Sequence, residues 1–523
     1  MKTHLHHMLL EQASVRGTAP ALTHDGCTVS YADLADRVLR AAGGLRALGV
    51  ARGERVAVFA EKRVETVVAL WGTSAAGAVF VPVNPVSKPE QVAHVLDDCG
   101  VSVLVTTAAR WGVVADAVKR CTALRTVVLV DEVDPHVGSG ADIDVRGWAD
   151  LGHAAPVDPR PPGVDLDLAA ILYTSGSTGS PKGVVLSHRN LMVGAESVSS
   201  YLGNTADDVV LAALPISFDA GLSQLTTSFA VGAHVVLANY VFARDVARLC
   251  EEHAVTGLTC VPPLWIQLVD AEWSARARAS MRYVANTGGR MPRTTLDALR
   301  RLFPGAEPYL MYGLTEAFRS TYLDPREVDA RPDSIGRAIP DAEILVVRPD
   351  GSPAGPGEEG ELVHRGPLVA QGYWNDPVRT AERFRPLPGE PGEWRQPELA
   401  VWSGDTVRTD DEGFLYFVGR TDDMIKTSGY RVSPTEVEEV AYDSGLVRDA
   451  VALGVADERL GERIVLVVAP VGPDAFDPDR LRRILRQALP AYMVPSEIRD
   501  VGELPRSPNG KFDRTRIRAE LTP

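Results

Sequence analysis

The sequence predicts an α/β protein. It has a large N-terminal domain of doubly wound sheets, a barrel-like subdomain, and a small α+β C-terminal domain. Three observations predict this. Short apolar strands alternate with amphipathic helices through the first third of the chain, the pattern of a parallel sheet covered on both faces. Between residues 344 and 418 the texture changes to short alternating strands punctuated by turns. After Arg420 a compact tail of about 100 residues, a common domain size, carries its own mixture of helix and strand.

In chain order, Leu34, Val38, Ala41, Leu45 and Leu48 fall on one helical face. Ser30 with Asp33 forms a capping-box pattern before it, and Gly49 stands where a C-terminal cap belongs. Residues 55–60 (RVAVFA) read as a buried strand, 66–76 as helix, 79–83 as strand, 89–98 as helix and 101–105 as strand. The alternation resumes with strands at 209–213 and 234–237 and a helix at 242–252. Pro349-Asp350-Gly351 and Asp411-Glu412-Gly413 are turn signals bracketing the barrel-like region. The tail reads as helix 434–443, strands 450–455 and 464–469, and helix 479–489.

The 523 residues are 45% hydrophobic and 24% charged, with a net charge of −15. That charge argues against a nucleic-acid partner, because phosphate backbones need a basic face. It leaves room for small anions held by a few local cations. The five cysteines, Cys27, Cys99, Cys121, Cys250 and Cys260, show no metal-ligand spacing and are expected to be buried reduced thiols of a cytoplasmic protein. No secretory signal or membrane-length apolar run is visible; residues 229–237 are interrupted by Gly232 and His234. His6 and His7 are expected on the surface.

The most informative stretch is residues 173–183, YTSGSTGSPKG, which follows the apolar strand 169–172. Its three glycines permit backbone conformations closed to other residues. Its hydroxyls and backbone N–H groups suit polyphosphate oxygens, and Lys182 adds positive charge. It is not a Walker loop, since Pro181 and Gly183 occupy positions that motif reserves for Gly and Ser or Thr.

YTSGSTGSPKGV resembles the signature loop of the adenylate-forming superfamily: acyl-CoA synthetases, standalone adenylation enzymes of peptide and polyketide assembly, and firefly-type luciferases. Seven further motifs follow the family's order: GAVFVPVNP (77–85), YGLTE (312–316), GELVHRGPLVAQGYWN (360–375), WSGD (402–405), GRTDDMIKTSGYRVSP (419–434), LPAYMVP (489–495) and PRSPNGK (505–511). The resemblance implies an AMP-forming ligase using ATP and Mg²⁺. It divides the chain into an adenylation domain (1–421) and a mobile C-terminal domain (422–523).

Site residues carried over from the resemblance are as follows. Thr174, Ser175, Gly176, Ser177, Thr178 and Gly179, with Lys182, cradle the phosphates. Tyr312, between Met311 and Gly313, stacks on adenine. Gly288 and Gly289 let the backbone lie against nucleotide and acyl group. Thr315 and Glu316 contact phosphate and magnesium, and Glu316 is the metal ligand, a hard oxygen donor suited to that ion. Asp405 holds the ribose with Arg420 as its partner, although such residues are otherwise an ordinary surface pair. Lys511 reaches between substrate oxygen and α-phosphate during adenylation. Asp422 is the hinge, and Gly429 belongs to the loop that enters the site for the thiol step.

Phe218-Asp219 mark the substrate pocket. Amino-acid-activating relatives carry Phe-Asp here, whereas many acyl-CoA synthetases carry Phe-His. A partly buried Asp needs a cationic partner: a substrate ammonium, Arg290 or Arg319. A charged pocket disfavours a long alkyl chain. The expected substrate is therefore a small polar or aryl carboxylate, with an amino acid as an alternative. Some relatives activate nitrite and diazotise an aryl amine, and Arg319 suits so small an anion; a luciferase-type oxidase also adenylates first. The chain stops at Pro523, soon after Lys511, so the thiol acceptor is expected to be a separate molecule, CoA or the phosphopantetheine of a carrier protein.

Overall fold

The computed structural model describes residues 2–131, 143–174, 181–289, 291, 293–387, 397–420, 424–471, 476–505, 512 and 514–521. Two large sheets dominate it. In the first, six strands run parallel in the spatial order Glu307–Tyr312, Tyr283–Asn286, Gly257–Cys260, Val209–Ala212, His234–Leu237 and Pro20–His24. In the second, Leu168–Thr174, Val79–Pro82, Arg55–Phe59, Val101–Thr106, Thr126–Leu129 and Asp144–Gly147 run parallel. Antiparallel strands Lys182–Ser187 and Gly372–Tyr373 extend its edge.

The helix Val64–Ala75 buries every residue but Glu65. One apolar cluster joins it to Phe80 and Leu172 of one sheet and to Ala212 and Val235 of the other. A helix apolar all round is one buried on all sides, which explains the continuous VVALW run. Residues at the carboxyl ends of both parallel sheets line one common cavity, the place where open α/β sheets bind ligands.

The expected barrel-like region is a five-stranded antiparallel sheet centred on Leu399–Thr409. That strand pairs with Glu359–Arg365 on one side, and with Phe384–Pro386 and Leu415–Arg420 in turn on the other. Register shifts at Glu361/Val363 and Thr406/Val407 bend and twist it, as bulges do. In the tail, Val447–Asp457 and Gly461–Pro470 form a long hairpin, with apolar clusters on both faces of its sheet. Residues 421–423, including the expected hinge Asp422, lie outside the described residues. Among the described residues no helix is long and apolar enough to cross a membrane.

The helices Pro89–Asp98 and Pro434–Asp443 begin and end where the sequence places them. The helix expected at 66–76 starts earlier, at Val64. Cys27 is exposed while the other four cysteines are buried, a correction for that one residue.

The surface assignment of His6 is also corrected. His6 is fully buried; its ring meets Ser74 Oγ at 3.0 Å and the Pro159 carbonyl at 2.9 Å. His7 is half-buried and bonds the same carbonyl. The His4 and His188 rings lie 4.5 Å apart, and those of His6 and His7 4.4 Å. Burial pushes His6 down to about 3 and His188 well below its ordinary value. The unfolded chain therefore takes up protons near pH 6.5 that the folded chain refuses. Stability is full above that pH and is lost as pH falls, by about 1.4 kcal/mol per pH unit for each of these two histidines. Melting between pH 7.5 and 5.5 should show this decline, and His6→Gln should make it shallower; an unaltered slope would exclude His6 as its source.

Candidate active site

The cavity holds about 1700 Å³, well above the roughly 300–1000 Å³ of a single small-ligand pocket. One wall comes from strand ends of the first sheet. Gly288 and Gly289 follow Tyr283–Asn286, and Met311, Tyr312 and Gly313 end or follow Glu307–Tyr312. Asn286 Nδ2 donates to the Gly289 carbonyl at 2.8 Å and fixes the glycine pair. Tyr312 Oη donates to Asp405 Oδ2 at 2.5 Å, so the expected adenine platform and ribose acceptor touch. Asp405 and Arg420 are opposite each other in the backbone ladder.

Thr174 and Lys182 are also opposite each other, at the ends of adjoining strands. Ser175, Gly176, Ser177, Thr178 and Gly179 between them lie outside the described residues. Lys182 Nζ donates to Tyr373 Oη at 2.7 Å, and Tyr373 Oη donates to Glu316 Oε1 at 2.6 Å. Lys182 and Glu316 also form an ion pair at 3.2 Å. Tyr373 was not singled out by the sequence; its only signal is its place in the GYWN motif.

Glu316 is 1% exposed. Burial pushes its carboxyl up, but Lys182, Arg431 and Arg383 more than reverse this, and it ends well below the usual range. Burial lowers the Lys182 ammonium, with Glu316 opposing. Glu316 Oε2 and Thr174 Oγ1 are buried with no partner among the described residues. An ionised carboxylate with one oxygen anchored and the other unused fits a hard divalent cation that completes its shell with phosphate oxygens and water.

Asp219 opens the helix Asp219–Val231, with Phe218 as its N-cap. Asp219 Oδ2 pairs with Arg319 Nη1 at 2.8 Å, and Thr315 Oγ1 donates to Asp219 Oδ1 at 3.2 Å. Of the two candidate protein partners, Arg319 therefore holds Asp219; Arg290 lies outside the described residues. A strained turn delivers Arg319. Phe318 sits at φ 60°, ψ −61°, and the Arg319 amide donates to the Ala317 carbonyl at 2.6 Å. This is the rare γ-turn of positive φ. The buried Phe318 ring rests on Gly194, where a Cβ would come within 2.7 Å of Cδ1. Arg319 Nη1 also donates to the Phe318 carbonyl at 3.0 Å, while Nε is buried with no partner among the described residues.

The C-terminal sheet contributes a hairpin joining Ile425–Thr427 to Tyr430–Val432. Ser428 and Gly429 both have positive φ, 53° and 80°, as a two-residue type I′ turn requires. The tip reaches the cavity wall, where a Cβ on Gly429 would come within 2.7 Å of Val261. Tyr430 meets Phe218 edge to face at 5.4 Å. If this hairpin is the expected thiol-step loop, Gly429→Ala should slow transfer to a thiol about tenfold more than pyrophosphate exchange, because the clash with Val261 arises only with the hairpin in the cavity, whereas the positive-φ strain burdens the turn wherever it sits. Stopped thioester assays beside exchange assays check this, and an equal loss in both would contradict it. Lys511 lies outside the described residues.

The AMP-binding enzyme family matches residues 9–374, and the AMP-binding enzyme C-terminal domain matches residues 436–511. A feruloyl-CoA synthase from an Amycolatopsis species is 32% identical, over 97% of this chain and 97% of that protein. A linear gramicidin synthase from Brevibacillus parabrevis is 29% identical over 98% of this chain, which spans 10% of that far longer protein. Among solved structures, the amide bond synthetase McbA from Marinactinospora thermotolerans superposes with a TM-score of 0.84 at 24% identity, covering 99% of both chains. The chain thus belongs to the AMP-binding enzyme family, within the adenylate-forming superfamily, and is an AMP-forming ligase.

Proposed function

We propose that this ligase activates a small polar or aryl carboxylate with ATP and transfers the acyl group to the thiol of CoA or of a carrier protein's phosphopantetheine. The observation that carries this is the Gly429 hairpin, which lines the same cavity as Tyr312, Asp405 and the Asp219–Arg319 pair. In the first step a carboxylate oxygen attacks the α-phosphorus and the bond to pyrophosphate breaks. In the second, a thiolate sulfur attacks the acyl carbon and AMP leaves. Positioning and charge neutralisation supply most of such a rate enhancement. Tyr312 and Asp405 orient adenosine, and Lys182 and Thr174 face the phosphates. Glu316 would hold Mg²⁺, which neutralises phosphate charge when bound. Lys511 steadies the forming bond until the 422–523 domain turns about Asp422.

Pyrophosphate exchange with aryl, short aliphatic, amino and dicarboxylic acids tests the first step, and adding CoA or a carrier protein tests the second. Lys511→Ala should abolish exchange yet retain transfer from preformed adenylate; unchanged exchange would remove Lys511 from the first step. Asp219 already has Arg319 as its counter-ion, which weighs against a substrate ammonium there. The buried, unpartnered Nε of Arg319 favours a second reading, nitrite activation for N–N bond formation with an aryl amine. Exchange with nitrite alone would replace the thioester reading with that one.

A further inference from the structure

Among the described residues, two cations are buried in the cavity wall, Arg319 and Lys62, and one of the two has a carboxylate partner. Arg319 is matched by Asp219. Lys62, 8% exposed, also lines the cavity, and among the described residues it forms no ion pair. Its Nζ donates to the carbonyls of Ala213, at 2.7 Å, and Leu214, at 3.3 Å. Its backbone is clamped on both sides by Asn239: the Lys62 amide donates to Oδ1 at 3.2 Å, and Nδ2 donates to the Lys62 carbonyl at 2.6 Å. The side chain is thus held rigidly at the end of the strand Arg55–Phe59.

The neighbouring charges are already engaged. Glu61 is bound by Arg110, and Arg63 by Glu65 and Asp131. The buried Cys260 thiol, pushed well above its ordinary value, stays neutral. An ammonium has three donors, and Lys62 uses two. Burying such a charge without a counter-ion is strongly unfavourable, and desolvation lowers Lys62 to about 7. While Lys62 keeps its proton, the wall holds half of an ion pair that a ligand anion would complete. With one N–H to spare and the Asn239 amide spent, the position suits a carboxylate better than a phosphate, whose oxygens need several donors.

We propose that Lys62 binds a second carboxylate on the acid substrate, distinct from the oxyanion that is adenylated, so that the enzyme selects dicarboxylic acids. This rests on the acid-activating reading above. Binding is then coupled to proton uptake: the preference for a diacid is greatest below pH 7 and declines as pH rises and Lys62 loses its proton.

Two matched pairs test it in pyrophosphate exchange, adipate against hexanoate and terephthalate against benzoate. At least one diacid should be preferred about tenfold in kcat/KM by the wild type. That ratio should collapse towards one in Lys62→Met and persist in Lys62→Arg. A wild-type ratio near one, or a ratio that survives in Lys62→Met because both acids lose equally, would overturn the proposal and leave Lys62 as a tether of the 213–214 carbonyls. A second readout needs no turnover: carbamylation of Lys62 by cyanate at pH 7.5, followed by mass spectrometry, should be slowed by the diacid and not by its monoacid. Protection without exchange for any acid would sustain the anion site while defeating the acid-activating reading; absence of protection would overturn the site itself.

Discussion

Asp219→Ala is expected to destabilise the protein by about 3–5 kcal/mol, the loss typical when one member of a buried ion pair is removed. Arg319 is 2% exposed and has Asp219 as its only carboxylate among the described residues. A guanidinium cannot shed its proton to escape. The double variant Asp219→Ala with Arg319→Met should recover most of that loss, because an apolar pair of similar volume is often neutral or stabilising. Denaturant unfolding of the two single variants and the double variant gives the coupling. Additive effects would mean that the pair contributes nothing to the fold. Activity separates the two uses of Asp219: if it recognises a substrate ammonium, exchange with amino acids alone should disappear in Asp219→Ala.

Glu316→Gln is expected to lower the adenylation rate by on the order of 10²–10³, the range seen when a preorganised electrostatic contact is removed. The amide keeps the shape of the side chain but removes the charge that Lys182 and Tyr373 organise at 3.2 and 2.6 Å. The unused Oε2 loses its anionic character, so the Mg²⁺ concentration for half-maximal rate should also rise. Tyr373→Phe keeps the ring 4.2 Å from Lys182 Nζ but removes the hydroxyl that bonds both the Lys182 ammonium and the Glu316 carboxylate, and a loss of roughly 10- to 100-fold follows from losing such charge-assisted hydrogen bonds. Wild-type exchange by Glu316→Gln at ordinary Mg²⁺ would exclude the carboxylate from metal and phosphate handling.

Much of the fold was legible because local signals agreed with it. The helix Pro434–Asp443 is marked to the residue by Ser433, which caps it, and by proline at its first position. The strands expected at 450–455 and 464–469 extend to Val447–Asp457 and Gly461–Pro470, since their ends are set by pairing with each other and not by composition. The motifs singled out Tyr312, Thr315 and Asp405, which the structure gathers around one cavity, and Glu316, which it pairs with Lys182. What escaped was side-chain pairing at long range. Arg319 and Asp219 lie a hundred residues apart, and nothing local chose Arg319 over Arg290. Tyr373 reaches Glu316 through an edge-strand pairing that periodicity does not foretell. The burial of His6 escaped too, because a polar ring on an N-terminal helix gives no sign of the carbonyl and hydroxyl that satisfy it inside.

The seat beneath Phe318 bears on how this enzyme's repertoire can change. Gly194 belongs to the helix His188–Tyr201 and does not line the cavity, yet the absence of its side chain is what leaves room for the ring behind Arg319. A mutation there would reshape the pocket from behind, without altering any residue that meets the ligand. Divergent evolution towards other acids, or a laboratory selection for them, thus has a route through a backbone-facing glycine on a neighbouring helix, which an inventory of pocket-lining positions would pass over.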